Sequence, residues 1–395
     1  MKASSESSGL FLPMDVHRTS IPVVKCGSFL IMSSACTKSK PFCEAGVLHF
    51  LLVIMLIFQY NVCIYLYCGD DMRLFLIPVI FLVIILLVIL AAYICYRIAF
   101  YVPPRRKVDP GVITVPPGAA YEPFHEQMVG WIKEIRGLPQ KQLKINSVDG
   151  LTLYGKYFEF APGAPVELMF HGYRGNAERD LSGGVQRCFQ LGRSALVVDQ
   201  RCSGFSDGNA ITFGVKEHLD CLQWINFMID YFGPDVKIIL TGISMGAATV
   251  LMAAGKELPQ NVIGVLADCG YNSSKDIMYE VIRKMKLPPR LCYPFVKLGA
   301  KMFAHFDPDQ WSPEEAVRHC KVPVIFFHGE DDDFVPCRMS RINFDACVSR
   351  KELVIIPGAD HGLSYPVAPD RYLKALWTFF GPEASHESVW QNYLL

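Results

Sequence analysis

Val236-Lys237-Ile238-Ile239-Leu240-Thr241-Gly242-Ile243-Ser244-Met245-Gly246-Ala247-Ala248 decides the fold. A β-branched apolar run ends in Gly-x-Ser-x-Gly, and small helix-forming residues follow. That is the strand, sharp turn and helix of a nucleophile elbow. The strand delivers Ser244 to the carboxyl edge of a sheet. The backbone at the serine is strained, so its neighbours must be nearly free of side chain, and Gly242 and Gly246 meet that need. The hydroxyl is left at the N-terminus of a helix, whose positive end favours developing negative charge.

Outward from the elbow, strand and helix patterns alternate. Strands are read at Leu143–Val148, Leu151–Phe160, Val166–Phe170, Ser194–Asp199, Asn261–Ala267, Val322–Phe327 and Glu352–Ile356. Helical periods fall at Phe213–Tyr231, Met339–Val348 and Arg371–Phe380. Such alternation predicts βαβ units, a mostly parallel sheet and helices on both faces. An insertion of some fifty residues between Asp268 and Val322, with Pro288-Pro289, is expected to cover the carboxyl edge as a lid.

In an open α/β sheet the site lies beyond the carboxyl ends of the strands. Phe170 leads into His171-Gly172-Tyr173-Arg174-Gly175. Phe327 leads into His328-Gly329-Glu330-Asp331-Asp332-Asp333-Phe334-Val335-Pro336. Ile356 leads into Pro357-Gly358-Ala359-Asp360-His361-Gly362. With the elbow the order is Ser, Asp, His.

These motifs together resemble the α/β-hydrolase fold serine hydrolases. The closer likeness is to bacterial membrane-anchored α/β-hydrolases with one N-terminal span, whose juxtamembrane Tyr-Arg-Ile-Ala-Phe-Tyr is similar to Tyr96–Tyr101. The resemblance implies Ser244 as nucleophile, His361 as general base and Asp332 as the acid that orients it. Asp332 matches through the frame His-Gly-x-x-Asp-x-x-Val-Pro, and its neighbours Asp331 and Asp333 read as a solvated acidic turn. Oxyanion-hole N–H groups are expected at Met245, the residue after the nucleophile, and at Tyr173. Asp199-Gln200-Arg201-Cys202-Ser203-Gly204 resembles a structural loop of the family, with Cys202 where glycine is usual. Cys269 reads as a buried thiol.

Of 395 residues, 51% are hydrophobic and 19% charged, too apolar for a wholly soluble chain. The excess lies near the N-terminus. Leu74–Tyr96 carries no charge and is long enough to span a bilayer core of roughly 30 Å. A weaker candidate, Val47–Tyr67, is interrupted by His49, Gln59 and Asn61. Arg97, Arg105, Arg106 and Lys107 follow the strong span, so the positive-inside rule puts the globular part in the cytoplasm. A signal anchor exporting the domain is the competing orientation. The expected organisation is an irregular 1–46, a possible span at 47–67, a span at 72–97 and a Pro-rich linker at 98–120. A hydrolase domain at 121–382 follows, with its lid at about 270–318, then a tail at 383–395. Met72 begins a compact product, so residues 1–71 are expected to be an upstream extension, a two-span anchor being the alternative. A chain truncated to begin near Arg105 is expected to be soluble and active.

Net charge is zero, with no long basic block, which argues against a nucleic-acid partner. The 14 cysteines show neither C-x-x-C nor zinc-ligand spacing. No P-loop, Gly-x-Gly-x-x-Gly or His-Glu-x-x-His occurs, so no cofactor or metal is expected. The expected activity is hydrolysis of an ester, thioester or amide, on a small-molecule or lipid acyl substrate. A peptidase of the same fold and a pseudo-hydrolase that binds a partner are the alternatives. A transporter is disfavoured by two spans at most and no intramembrane charge.

Overall fold

The computed structural model describes residues 70–103 and 111–389. The expected irregular segment 1–46, the weak span at 47–67 and the end of the tail lie outside the described residues. In chain order the elements are helix α1 (Asp70–Ala99), α2 (His125–Gly137), strands β1 (Lys141–Asn146), β2 (Thr152–Phe158) and β3 (Val166–Phe170), α3 (Ala177–Gln190) and β4 (Ser194–Asp199). Then come α4 (Glu217–Phe232), β5 (Ile238–Ile243), α5 (Met245–Ala254) and β6 (Val262–Asp268). The insertion carries α6 (Ser274–Lys284), α7 (Pro289–Gly299) and α8 (Pro313–Val317). The chain closes with β7 (Val324–Gly329), α9 (Arg338–Ala346), β8 (Lys351–Ile356), α10 (Ser364–Val367) and α11 (Pro369–Phe380).

The eight strands form one sheet in the order β1-β2-β4-β3-β5-β6-β7-β8. The β1–β2 and β2–β4 pairs are antiparallel and the others parallel. Edge strand β1 alternates exposed and buried residues, whereas β3 is buried throughout. That contrast is expected for a strand with one wet face and a parallel strand covered on both. Trp224 and Ile225 of α4 and Val250 of α5 pack on one face with Leu168, Leu240 and Val265. Val185 of α3 packs on the other with Met169 and Val197, as do Tyr372 and Leu376 of α11 with Ile325 and Phe327.

α1 contains the segment Leu76–Ala99, 24 residues with mean hydropathy 3.2, long and apolar enough to cross a membrane by length and composition. Its final turns do not lead into a free linker. Ala92, Tyr96, Phe100 and Val102 are buried, Phe100 completely. Phe100 meets Phe213 and Phe306 edge to face, with ring centroids 5.7 and 5.3 Å apart. Tyr101 bridges Ala210, the Ile211 N–H donates to Phe100 O (2.9 Å), and the Val102 N–H donates to Asn209 O (2.9 Å). Gly299 of α7 lies so close that a Cβ there would strike the Ala92 carbonyl. Within the linker expected at 98–120, Phe100 and Val102 are thus buried against the rest of the described chain.

This reverses the expectation for the truncated chain. A chain beginning at Arg105 loses Phe100 and Val102, and emptying a phenylalanine site alone costs about 3–5 kcal/mol. Against a total stability of ~5–15 kcal/mol that is severe. The 105–395 fragment is expected to aggregate or melt well below a fragment beginning at Ala92. Thermal denaturation of the two in detergent checks this, and equal melting temperatures would contradict the packing argument.

The insertion also packs against α1. α7 and the π-turn Ala300–Ala304 pack against α1, with Tyr93 and Tyr96 both in contact with Phe303. Among the described residues no side chain from 270–318 lines the cavity at the elbow. The insertion packs against the end of α1 and clusters with Met245, Val335 and Met339 at the carboxyl edge, and its Lys284 reaches Asp333 and lies over the Phe334 ring.

Candidate active site

β5 ends at Ile243 and α5 begins at Met245, leaving Ser244 between them at φ 56°, ψ −116°. A Cβ on Gly242 would strike the Gly246 backbone, and one on Gly246 would strike the Phe170 carbonyl. The Gly-x-Ser-x-Gly spacing is thus a requirement for close backbone approach. The Ser244 N–H donates to Asp268 O at 2.8 Å, tying the elbow to β6.

The loops after β7 and β8 bring Asp332 and His361 to the serine. His361 Nε2 lies 2.9 Å from Ser244 Oγ, and His361 Nδ1 lies 2.7 Å from Asp332 Oδ2. Asp332 Oδ1 accepts the N–H groups of Phe334 (3.0 Å) and Val335 (2.8 Å). Burial raises the pKa of this carboxyl, but the hydrogen bonds from His328 and His361 outweigh it and hold the group at about 2. Asp332 is therefore an acceptor only, which requires the proton on His361 Nδ1 and leaves the Nε2 lone pair for the serine hydroxyl. Asp331 and Asp333 are exposed; Asp333 pairs with Lys284 at 3.2 Å.

The other two expected residues lie alongside. Gly172–Gly175 is a turn closed by the Gly175 N–H donating to Gly172 O at 3.1 Å, with Tyr173 and Arg174 at its centre. Gly172 abuts the elbow serine, where a Cβ would sit 3.6 Å from that of Ser244. Its N–H donates to Asp180 Oδ2 at 3.2 Å. Met245 opens α5, so its N–H has no acceptor within the helix. Fully buried His171 accepts the Gln200 N–H (3.1 Å) on Nε2, and burial lowers its pKa, keeping it neutral.

Three residues of the site, His328, Tyr121 and Phe334, were not singled out in the sequence. His328 is fully buried; its Nε2 lies 2.8 Å from Val335 O and 3.2 Å from Asp332 Oδ2. A carbonyl can only accept, so Nε2 carries the proton and is a second donor to the Asp332 carboxylate. Its four-residue spacing from Asp332 was visible within the quoted motif. The Tyr121 hydroxyl donates to His361 O at 2.9 Å, and the Phe334 ring stands edge-on to His361 at 5.1 Å. Cys269 is buried at φ 46°, its sulfur within 4.8 Å of ligand atoms of Asp332 and His361. Burial pushes its thiol pKa well up. Asp199 and Arg201 hold structure: Asp199 accepts the Ala177 and Phe205 N–H groups, and Arg201 pairs with Asp220 and Asp149. Cys202 adopts φ 67°, the conformation that glycine would take more easily.

A cavity of about 580 Å³ opens at Ser244. Met128, Trp131, Met169, Leu181 and Tyr365 line it, and the segment 116–121 and Phe334 border it. In α3, Gly183 and Gly184 form part of its wall. A Cβ on Gly183 would sit 2.6 Å from the Trp131 ring, which is stacked on Tyr365. A Cβ on Gly184 would strike the Met169 methyl.

No family model matches the chain. It is similar to the uncharacterized protein YqkD of Bacillus subtilis (strain 168), 25% identical over 190 residues, 48% of this chain and 62% of that protein. It is also similar to protein bem46 of Schizosaccharomyces pombe, 24% identical over 192 residues, 48% of this chain and 58% of the other. The chain thus spans about three fifths of the length of these relatives. Among solved structures it resembles the Pyrococcus furiosus esterase Pf2001, with TM-score 0.54, 20% identity, and coverage of 71% of this chain and 97% of the esterase. The α/β hydrolase GrgF of a Penicillium species is similar at TM-score 0.50 and 18% identity, covering 62% and 98%. The fold is the α/β-hydrolase fold.

Proposed function

We propose that the chain is a membrane-anchored serine hydrolase that cleaves an ester, with thioesters and amides open to the same chemistry. One observation carries the reading: the Ser244 hydroxyl, the His361 ring and the Asp332 carboxylate stand in one hydrogen-bonded line at the mouth of a mostly apolar cavity. His361 Nε2 takes the hydroxyl proton as Ser244 Oγ attacks the carbonyl carbon, and Asp332 stabilises the imidazolium. The N–H groups of Tyr173 and Met245 receive the oxyanion. The alcohol leaves with the proton from His361. Water, deprotonated by the same ring, then releases the acid from the acyl-enzyme. The apolar cavity suits an acyl chain. The end of α1 beside Tyr173 supports a substrate met at the membrane surface, a lipid acyl ester. The test is labelling of the full-length protein by a fluorophosphonate probe, with the modified peptide identified by mass spectrometry. Labelling at Ser244 is expected; labelling at another serine, or none, overturns the reading.

EDTA is expected to leave the activity unchanged. The cluster of described residues able to hold an ion, Cys269 with Asp332 and His361, includes the base itself. An ion there would occupy the imidazole and oppose turnover. Chelator-dependent loss restored by zinc or calcium would contradict this assignment of roles.

A further inference from the structure

The last carbonyls of a helix have no intrahelical partner and must find donors elsewhere. At the end of α1 those donors come from the turn beside the nucleophile. The Tyr173 hydroxyl donates to Ala99 O at 2.7 Å. Arg174 Nη2 donates to Ile98 O (2.9 Å) and Tyr101 O (3.2 Å), and Arg174 Nε donates to the Tyr173 hydroxyl oxygen (2.8 Å). A cation at a helix C-terminus also meets the negative end of the helix dipole. Both side chains belong to the central residues of the Gly172–Gly175 turn. The Tyr173 ring packs on Phe213 at 5.1 Å, which in turn packs on Phe100. Arg174 does this from φ 54°, a conformation costly for a non-glycine residue. Glycine would fit that backbone better but would carry no clamp.

We propose that the end of the membrane helix is a working part of the site. Arg174 is a positioning residue that, fastened to the carbonyls of Ile98 and Tyr101, holds the Tyr173 N–H where the oxyanion forms. The proposal rests on the hydrolase reading above and adds to it that the anchor is a support for catalysis as well as a tether. A misplacement of about 1 Å in such a group costs on the order of a hundredfold in rate.

The test uses the full-length protein in detergent micelles and a water-soluble short-chain ester. Arg174→Gly removes the clamp while relieving the backbone, so the fold is not put at risk. Its kcat is expected to fall roughly 10- to 100-fold with KM within about twofold, because the oxyanion contact exists only in the transition state. Amide hydrogen exchange is expected to accelerate in residues 172–175 and to stay unchanged in 238–254. Arg174→Lys, which keeps the charge and one donor arm, is expected to recover part of the rate. Tyr173→Phe combined with Arg174→Gly is expected to cost less than the product of the two effects, since both hold one turn. An unchanged kcat in Arg174→Gly overturns the proposal, as does a lower kcat without faster exchange in the turn. A wild type that hydrolyses no ester overturns the hydrolase reading and with it the oxyanion role, while faster exchange in the variant would still show the clamp.

Discussion

Ser244→Ala is expected to lower kcat for a water-soluble ester by ~10⁴-fold or more, with the protein folded and KM little changed. Among the described residues no other serine hydrogen-bonds His361, and the neighbouring Cys269 thiol is held protonated by burial, so no second nucleophile replaces it. Removing the nucleophile of such an array costs about as much as removing the whole array, because the groups act as a unit. The residual rate comes from the oxyanion donors and binding alone. Alanine also puts the fold at no added risk: the serine already holds φ 56°, and alanine adds no bulk beyond the serine Cβ accommodated there. Burst kinetics on a nitrophenyl ester check this. A burst that survives in Ser244→Ala would reject Ser244 as the acylated residue.

Asp332→Asn is expected to cost a similar amount, ~10⁴-fold in kcat, by a route the local hydrogen bonds dictate. The N–H groups of Phe334 and Val335 both need an acceptor at the Oδ1 position. The asparagine oxygen must stay there, which forces its NH₂ group toward His361 Nδ1 and His328 Nε2. His361 is then driven to the tautomer with its proton on Nε2, unable to receive the serine proton. The NH₂ also confronts the His328 N–H, donor against donor. Asp331→Asn and Asp333→Asn touch neither histidine and are expected to change kcat by less than about threefold; if either proves severe, the acid is misassigned. The same substitution changes the acid limb of stability. The Asp332 pKa falls from an ordinary 3.8 to about 2 in the fold. A lowered value gives stability that is present above the unfolded pKa and lost as pH falls through the folded one. Unfolding free energy is therefore expected to drop by about 2 kcal/mol more in the wild type than in Asp332→Asn between pH 4 and pH 2. Parallel acid titrations would contradict the depressed carboxyl.

Much of this was legible where sequence pattern and burial coincide. Val166–Phe170 and Ser194–Asp199 were read with both ends correct, because central parallel strands are apolar on both faces and bounded by polar turns. The elbow was legible because close backbone contact restricts two positions to glycine. α3 was not read, since Gly183-Gly184 interrupts it with the residues that weaken a helix most short of proline. The burial of Phe100 was hidden for another reason. A side chain facing lipid and one facing a protein core have the same composition, and Pro103-Pro104 with the basic run beyond them reads as a linker. The packing of the insertion against α1 was not legible, because length and position say that a segment exists, not which neighbour it packs against. His328 was quoted within a motif, but its hydrogen bond to Asp332 depends on where the loop after β7 turns, which no local pattern encodes.

Gly183 and Gly184 bear on how this molecule would answer selection for heat resistance. Each glycine inside α3 forgoes roughly 1 kcal/mol of helix stability relative to alanine. Alanine at 184 meets only the terminal methyl and sulfur of Met169, the far end of an unbranched side chain, whereas alanine at 183 meets the Trp131 ring, held by Tyr365. Position 184 is thus the inexpensive route to a more robust helix, and position 183 is closed by the shape of the cavity wall. Variants surviving a thermal screen are expected to accumulate alanine at 184 and to keep glycine at 183, so that the tolerance of two adjacent, chemically identical residues would report which one the empty space belongs to.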